Sequence, residues 1–353
     1  MTIPRAARRS HPSAATLLLA GIFLMLLTAA LRFGAGFLLP MALALLFTLL
    51  LDPAVRALHR VGLATGLAAA LVVFGAVGVL ATGGVLLSGP AMNWVETAPR
   101  KLSQAQVKIR RILRPIQETA RQVDRATTST TPGAPAAVEI KAPGFLARAS
   151  VSTRSLVGTL LTVIFLTYFL LATLPDIRRK IAKLIGTRTG AESVETVLTE
   201  IEVQMSRYVL LNTLTSLGVA VATWGFLALI GLPNPLLWGV VSGLLNFVPY
   251  LGAIVAVSLI GFASLLAFDS TGTALLAVGG CVAINALEGN FVTPHLMGRH
   301  LPLNPVAIFV ALLYWGFVWG PAGMLLAVPL TVMLQILCAR VDPLRPVAEL
   351  LNH

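Results

Sequence analysis

The sequence predicts an all-α polytopic membrane protein with about six full spans, two broken re-entrant hairpins (about eight transmembrane segments in all) and an inverted repeat in its C-terminal half. Of the 353 residues, 57% are hydrophobic and only 11% are charged, against about 25% charged in an ordinary soluble chain. Many of the hydrophobic residues fall in runs of the roughly 20 residues that a spanning helix needs. Two later runs are too long for one straight helix.

The charge balance is basic, with 26 Lys and Arg against 14 Asp and Glu. In a chain this apolar, such charges gather in loops that face water or anionic headgroups. The net charge therefore indicates a lipid bilayer as partner and not a nucleic acid. Cys281 and Cys338 both lie inside apolar runs, which excludes a disulfide framework and favours small buried side chains.

The first apolar run is long enough for two spans, and Arg32 with its neighbouring glycines divides it at about 14–31 and 34–51. A basic N-terminus precedes it, as in a secretion signal. A second span follows at once, however, so we expect the first span to stay uncleaved. The third and fourth spans are predicted at about 64–87 and 155–174.

Basic residues in short loops favour the cytoplasmic side of the membrane. This bias predicts that the N-terminus, the 52–63 loop, the 175–207 segment and the C-terminal tail are cytoplasmic. The long 88–154 segment then lies outside.

Two polar segments separate the membrane blocks. The first, 88–154, carries one narrow apolar stripe if helical, and that stripe either contacts other copies or rests on the membrane surface. Residues 127–137 within it are predicted to be a poorly ordered linker. The second, 175–207, reads as an amphipathic cytoplasmic helix, most simply with a solvated charged face. The apolar stripe of the first segment, 88–154, repeats every seven residues: Leu102, Ile109, Ile116 and Val123.

The two overlong apolar runs, 233–267 and 303–338, would each measure about 50 Å as a straight helix, against a hydrocarbon core of about 30 Å. Proline and glycine in their middles predict breaks at 246–252 and 319–323. Broken backbone at membrane depth is tolerated where protein or a water-filled cavity receives it.

These two runs also match each other. In both runs Asn-Pro is followed by Phe-Val thirteen residues later, beginning at Asn234 and at Asn304. Each run also follows an ordinary span, at 208–231 and 271–288. Each span forms one unit with the run that follows it. If the runs are re-entrant hairpins, the second unit begins on the opposite side of the membrane from the first. That is the inverted repeat typical of secondary transporters. The alternative is one kinked span in each run.

A cluster of hydrogen-bonding residues accompanies the breaks. Glu288 stands out because an ionisable residue at the end of an apolar span is costly unless it is paired or functional; the alternative is a solvated position at the headgroup boundary. Asn246 and Tyr250 either cap their own hairpin or contact solute. The candidate substrate-binding residues are Asn246, Pro249, Tyr250, Gly252, Asn285, Glu288, Asn290, Gly320 and Gly323.

Enzyme motifs are missing from this membrane region. It holds a single aspartate, Asp269, and no His-Glu-x-x-His zinc motif, while His295 and His300 have no further ligands near them in sequence. The chain also has no phosphate-binding loop of an ATP-driven pump. We therefore predict a protein that is not an enzyme and uses no cofactor or metal.

Several motifs together resemble a known family: Gly243–Gly252, Glu288–Pro294, Leu303–Pro305 and Gly320–Gly323. They resemble those of the autoinducer-2 exporter (AI-2E) family of bacterial membrane permeases over nearly the whole chain, with no match in 88–150. The resemblance implies export of a small polar solute such as autoinducer-2, a homo-oligomer with a pentamer as one arrangement, and a mobile block moving elevator-like against a frame. It also implies a bacterial inner membrane.

Three functions stay open at this point. The first is a secondary exporter driven by the solute gradient or coupled to H+ or Na+, with Glu288 as the coupling or binding group. The second is a sodium/proton antiporter, and the third is a membrane scaffold without transport. We divide the chain into a tail with three spans (1–87), an outer basic segment (88–154), a fourth span with a cytoplasmic helix (155–207), the transport block (208–338) and a cytoplasmic tail (339–353).

Overall fold

The computed structural model describes residues 14–127, 153–185, 191–297, 303–340 and 344–351, and over these ranges it is helical, without a β-strand. A π-helical turn, Glu288–Val292, joins the eighth helix to the ninth. The helices are α1 Ala14–Phe33, α2 Ala35–Arg60, α3 Thr65–Thr127, α4 Thr153–Ile185, α5 Ala191–Leu229, α6 Pro235–Leu245, α7 Leu251–Ala267, α8 Thr271–Leu287, α9 Thr293–Met297, α10 Pro305–Arg340 and α11 Arg345–Leu351.

Five helical stretches within the described ranges are long and apolar enough to cross a membrane. They are Ala35–Arg60, Thr65–Trp94, Thr199–Leu229, Thr271–Leu296 and Pro305–Arg340. Leu18–Phe33 and Val157–Thr173, at the predicted first and fourth spans, are shorter apolar helices. Large apolar side chains such as Phe37 and Leu80 point away from the bundle, 70% and 67% exposed. Only lipid or another subunit makes such a surface favourable, so the predicted all-α membrane class is confirmed.

The helices do not end where the predicted spans end. The helix that carries the third predicted span, α3, continues as one helix to Thr127. Likewise α5 joins the charged segment to the next span without a break, and part of the predicted 289–303 loop is helical. Composition marks where a helix leaves lipid, whereas an established helix propagates through polar residues as readily as apolar ones. The side chains of the predicted stripe lie outside the described residues, as does nearly all of the 127–137 linker.

The N-terminal helices α2, α3 and α4 pack around a small apolar core. Ala68 and Ala69 of α3 are fully buried in it, against Val55 of α2 and Leu171 of α4. Small side chains let the helix backbones approach closely, which is the usual way helices pack within lipid.

The first long run is broken where the sequence predicts, and its two arms, α6 and α7, form a hairpin. Trp238 and Ile260, about equally far along the chain from the turn, share one apolar cluster, so the arms run antiparallel. Tyr250 in the turn has a φ of +61°. A Cβ on Gly252 would overlap the backbone of Leu245, so only glycine allows the arms to approach this closely.

The second long run is also a hairpin, and its two helical arms meet directly at a kink within α10. Gly320 has φ +66° and ψ −147°, values far from helical, and Pro321 follows it. Leu312 and Ala327 meet in one cluster on either side of this break, so the arms run antiparallel. A Cβ on Gly323 would overlap the Trp315 carbonyl. This is the same close approach that Gly252 provides in the first hairpin.

The first hairpin packs tightly on α5 through two glycines. A Cβ on Gly239 would lie 2.7 Å from the Ala220 oxygen, and one on Gly243 would lie 2.8 Å from the Ser216 oxygen. Small residues such as these let helix backbones approach closely within lipid.

The second hairpin packs on α1 and α2. Thr28 and Tyr314 share a hydrogen bond of 3.0 Å, and the Trp319 indole N–H donates to the Leu31 oxygen at 2.9 Å. Residue numbers rise together along the two partners, so α1 and the first arm of this hairpin run parallel.

Candidate functional site

The tip of the first hairpin is tied to the middle of α5. Asn246 ends α6, and its side-chain amide donates to the Ser216 hydroxyl at 3.3 Å. One turn back, the Thr223 and Ser242 hydroxyls form a buried 3.5 Å contact. The α5–α6 interface thus has a line of small polar groups in otherwise apolar surroundings, where each hydrogen bond is stronger than in water.

Glu288 begins the π-helical turn, where it is half-buried. The Thr293 hydroxyl donates to its carboxylate at 2.6 Å, and the Thr293 backbone N–H donates to its carbonyl oxygen. Pro294 comes next and lacks an N–H, so a regular α-helical ladder cannot continue here. Single π-turns within helices occur often at functional sites, and this one presents a carboxylate held by a hydroxyl.

The two other predicted amides bond to their own helix. Asn285 donates to the Cys281 oxygen at 2.8 Å, and Asn290 donates to the Ala286 oxygen at 2.8 Å. Asn285 is half-buried, whereas Asn290 is exposed. Each amide keeps a second N–H and its oxygen beyond the bond it makes.

Both polar groups lie beside α5. A Cβ on Gly280 of α8 would overlap the Phe226 ring, and the π-turn and α9 also contact α5. Phe226 lies near the end of α5, and the π-turn and α9, which follow Gly280 in sequence, still contact α5, so α8 and α5 run antiparallel. Continuing this register brings Glu288 level with the middle of α5, where Ser216 holds Asn246. In the part of the chain that the structure describes, no hydrogen bond joins Glu288 to Asn246 or to Tyr250, so the predicted residues form two groups at one level.

The remaining predicted residues lie at the two hairpin tips. Pro249 is half-buried and Tyr250 is 54% exposed, while Gly252, Gly320 and Gly323 belong to the close turns described above. Val248, next to this tip, packs against the apolar cluster of the second hairpin. The two hairpins therefore meet at the first tip.

A half-open cavity of about 150 Å³ lies elsewhere, at the open end of the first hairpin against α3. Trp94 and Trp238, with ring centroids 5.2 Å apart, form part of its wall. None of the nine predicted residues lines it. Across the described ranges, no three His, Cys, Asp or Glu side chains come together as a metal site.

Sequence reasoning missed several residues of this region. Ser216 is not a candidate from the sequence, because nothing there links it to Asn246. The charged start of α5 is more than a solvated face, since Glu202 binds Arg56 of α2 and Glu200 binds Arg340 of α10, each at 2.5 Å. The burial of Glu202 is signalled in the sequence only by the apolar residues around it, and its partner Arg56 is exposed.

Comparison with known proteins agrees with the resemblance. The AI-2E family transporter model matches residues 21–341. The AI-2 transport protein TqsA of Escherichia coli K12 is 26% identical over 336 residues, 93% of each chain. Two relatives with provisional transport-protein names match shorter parts. One from Haemophilus influenzae is 31% identical over 54% of this chain and 55% of its own. YhhT of E. coli K12 is 36% identical over 37% of this chain and 38% of its own. These relatives are transport proteins and not enzymes, and the chain belongs to the AI-2E family of membrane transporters.

Proposed function

We propose that this protein exports a small polar solute of the autoinducer-2 type across the inner membrane of a bacterium. The observation that carries the proposal is the pair of helical hairpins closed by Gly252 and Gly323, in a chain similar over 93% of its length to an AI-2 transport protein. Broken helices expose backbone N–H and C=O groups within the protein, and secondary transporters bind their substrates at such groups.

In this proposal the two hairpins form an inverted repeat. The parallel run of α1 and the first arm of α10 supports it, because the two helices then begin on the same side of the membrane. The ion pairs Arg56–Glu202 and Arg340–Glu200 add the end of α2, the start of α5 and the end of α10 to that side. With the N-terminus cytoplasmic, this side is the cytoplasm and Ser270 faces outward.

The solute would bind where the hairpin tips, α5 and the π-turn come together. Asn246, Tyr250, Asn285 and Glu288 offer amide, hydroxyl and carboxylate groups suited to a solute with several hydroxyls. Pro249, Gly252, Asn290, Gly320 and Gly323 shape the backbone around them. Glu288 would bind the solute or a coupling H+ or Na+, since a carboxylate in apolar surroundings favours a cation or a proton.

Transport would occur by an elevator-like movement of the transport block, residues 208–338, against a frame formed by α1 to α4. Exposed apolar side chains on the frame, including Phe37 and Phe165, support assembly into a homo-oligomer such as a pentamer. In this arrangement the frame is held by its neighbours and the block is free to move.

Export can be measured as the appearance of autoinducer-2 outside cells that produce it and lack their own exporter. We expect Glu288→Gln and Asn246→Ala to lose most of the export at equal protein level. Ser258→Ala is the matched control, because Ser258 is exposed on α7 and bonds only to its own helix at Ile254. Unchanged export in both site variants would favour a scaffold without transport.

The topology has its own test. Single cysteines at Ser270 and at Arg299, in a variant with Cys281→Ser and Cys338→Ser, are treated with a membrane-impermeant thiol reagent on intact cells. Labelling at position 270 alone agrees with two hairpins. Labelling at both positions would mean that each broken run crosses the membrane once.

A further inference from the structure

The start of α5 carries two acidic residues that bind different parts of the protein. Glu202 is buried, 8% exposed, and its carboxylate accepts from the Arg56 guanidinium at 2.5 Å. Arg56 also pairs with Asp52 on its own helix, α2. A guanidinium presents several N–H groups in one plane, so it can hold two carboxylates at once. Asp52 thus orients Arg56 toward α5.

Glu200 binds in another direction. Its carboxylate accepts from Arg340 at 2.5 Å, at the end of the second hairpin. Because α5 is one continuous helix from Ala191 to Leu229, both acidic residues must move with the part of α5 that lies in the transport block. The Glu200–Arg340 pair is therefore internal to the moving part, whereas the Glu202–Arg56 pair joins it to the frame.

On the frame side, α1 makes two hydrogen bonds to the second hairpin near its tip, whereas the other contacts that α2 makes with the moving part, among the described residues, are apolar. Leu46 and Leu49 of α2 pack in clusters with residues of α5 and α10. Apolar contacts are non-directional and can be exchanged for one another during sliding. An ion pair with a buried carboxylate is directional, and its attraction is lost once the two charged groups separate.

We propose that the Arg56–Glu202 ion pair is a latch that holds the transport block against the frame in the conformation described above and opens in every transport cycle. This inference rests on the proposed elevator-like function. Displacing α5 along α2 by one helical turn, about 5 Å, separates the two charged groups beyond salt-bridge distance. Arg56 and Glu202 are positioning residues, acting on block movement and not on the solute.

The first test is a cross-link across the latch. Arg56→Cys and Glu202→Cys are introduced together in the Cys281→Ser, Cys338→Ser variant and joined by a short bifunctional thiol reagent that is cleaved by reduction. The matched control joins Glu200→Cys to Arg340→Cys, a pair that uses the same turn of α5 but is internal to the block. Autoinducer-2 is the probe solute.

We expect the latch cross-link to lower export at least tenfold, with recovery on reduction, and the control cross-link to leave export within twofold of the uncross-linked protein. Undiminished export with the latch cross-linked would overturn the latch while leaving the transporter intact. Loss of export with both cross-links would overturn the division into block and frame. No export from the uncross-linked parent would instead refute the proposed function.

A second test needs no transport. Spin labels at Ala57 of α2 and Val203 of α5, both exposed, report the distance between frame and block in the purified protein. We expect Glu202→Gln to add a second distance population that Glu200→Gln does not add. The same single population in the parent and in both variants would overturn the latch, whatever solute the protein carries.

Discussion

Gly252 gives the sharpest test of the hairpin geometry. In Gly252→Ala the new methyl group would overlap the carbonyl oxygen and carbon of Leu245. An ordinary C···O contact is about 3.3 Å, so the two arms must separate by more than about 1 Å. Both overlapping groups are backbone, and no side-chain rotation relieves the clash. We expect a loss of about 3 kcal/mol in the free energy of unfolding, at the upper end for an overpacked core.

Gly279→Ala is the matched control. Gly279 lies on α8 with open space around its missing Cβ, and alanine in a helix is favoured over glycine by about 0.5–1 kcal/mol. We therefore expect this variant to be as stable as the parent or slightly more stable. The two substitutions add the same methyl group, so any difference between them reports the surroundings.

Thermal unfolding can be followed in detergent with a thiol-reactive fluorophore. Cys281 and Cys338 are 1% and 5% exposed, so the dye reacts when the surrounding helices open. A loss of 3 kcal/mol corresponds to a lower Tm by about 5 °C or more for a chain of this size. If Gly252→Ala and Gly279→Ala have the same Tm, the two arms do not approach as closely as described.

Three further predictions concern single contacts. Trp319→Phe keeps an aromatic ring but loses the 2.9 Å bond to the Leu31 oxygen, and should cost about 1 kcal/mol of stability; an unchanged Tm would contradict that bond. Gly243→Ala places a methyl group 2.7 Å from a side chain of α5 and should cost about 1–3 kcal/mol; parent-like stability would mean that α5 and α6 lie further apart. Thr293→Val removes the 2.6 Å hydroxyl donation to Glu288 and should lower autoinducer-2 export, whereas Thr293→Ser keeps the hydroxyl and should keep the export. Equal export in both variants would mean that this hydroxyl is not needed for transport.

The hairpins could be predicted because their breaks are local. Gly320 before Pro321 and the Asn246–Gly252 segment interrupt apolar runs that are too long to cross lipid as single helices. Both breaks lie at these residues in the structure. The chemistry of a few neighbouring residues is enough to locate such a feature.

The contacts of the site could not be predicted, because they join distant parts of the chain. Ser216 and Asn246 are brought together by the packing of α5 on α6, and Arg56 meets Glu202 across 146 positions. The π-turn at Glu288 depends on how Pro294 is accommodated. A single sequence shows the polar residues but not which of them face one another.

The length of α3 has a mechanical consequence. Trp94 packs against Trp238 and Phe262 of the first hairpin, and the helix continues from there to Thr127. At 1.5 Å per residue the projecting part measures about 50 Å. Pivoting at Trp94, a tilt of about 10° would sweep its far end through about 9 Å. A partner bound near Thr127 could therefore rotate the hairpin with a small force. In the other direction, small rotations of the hairpin become large displacements of that end of α3.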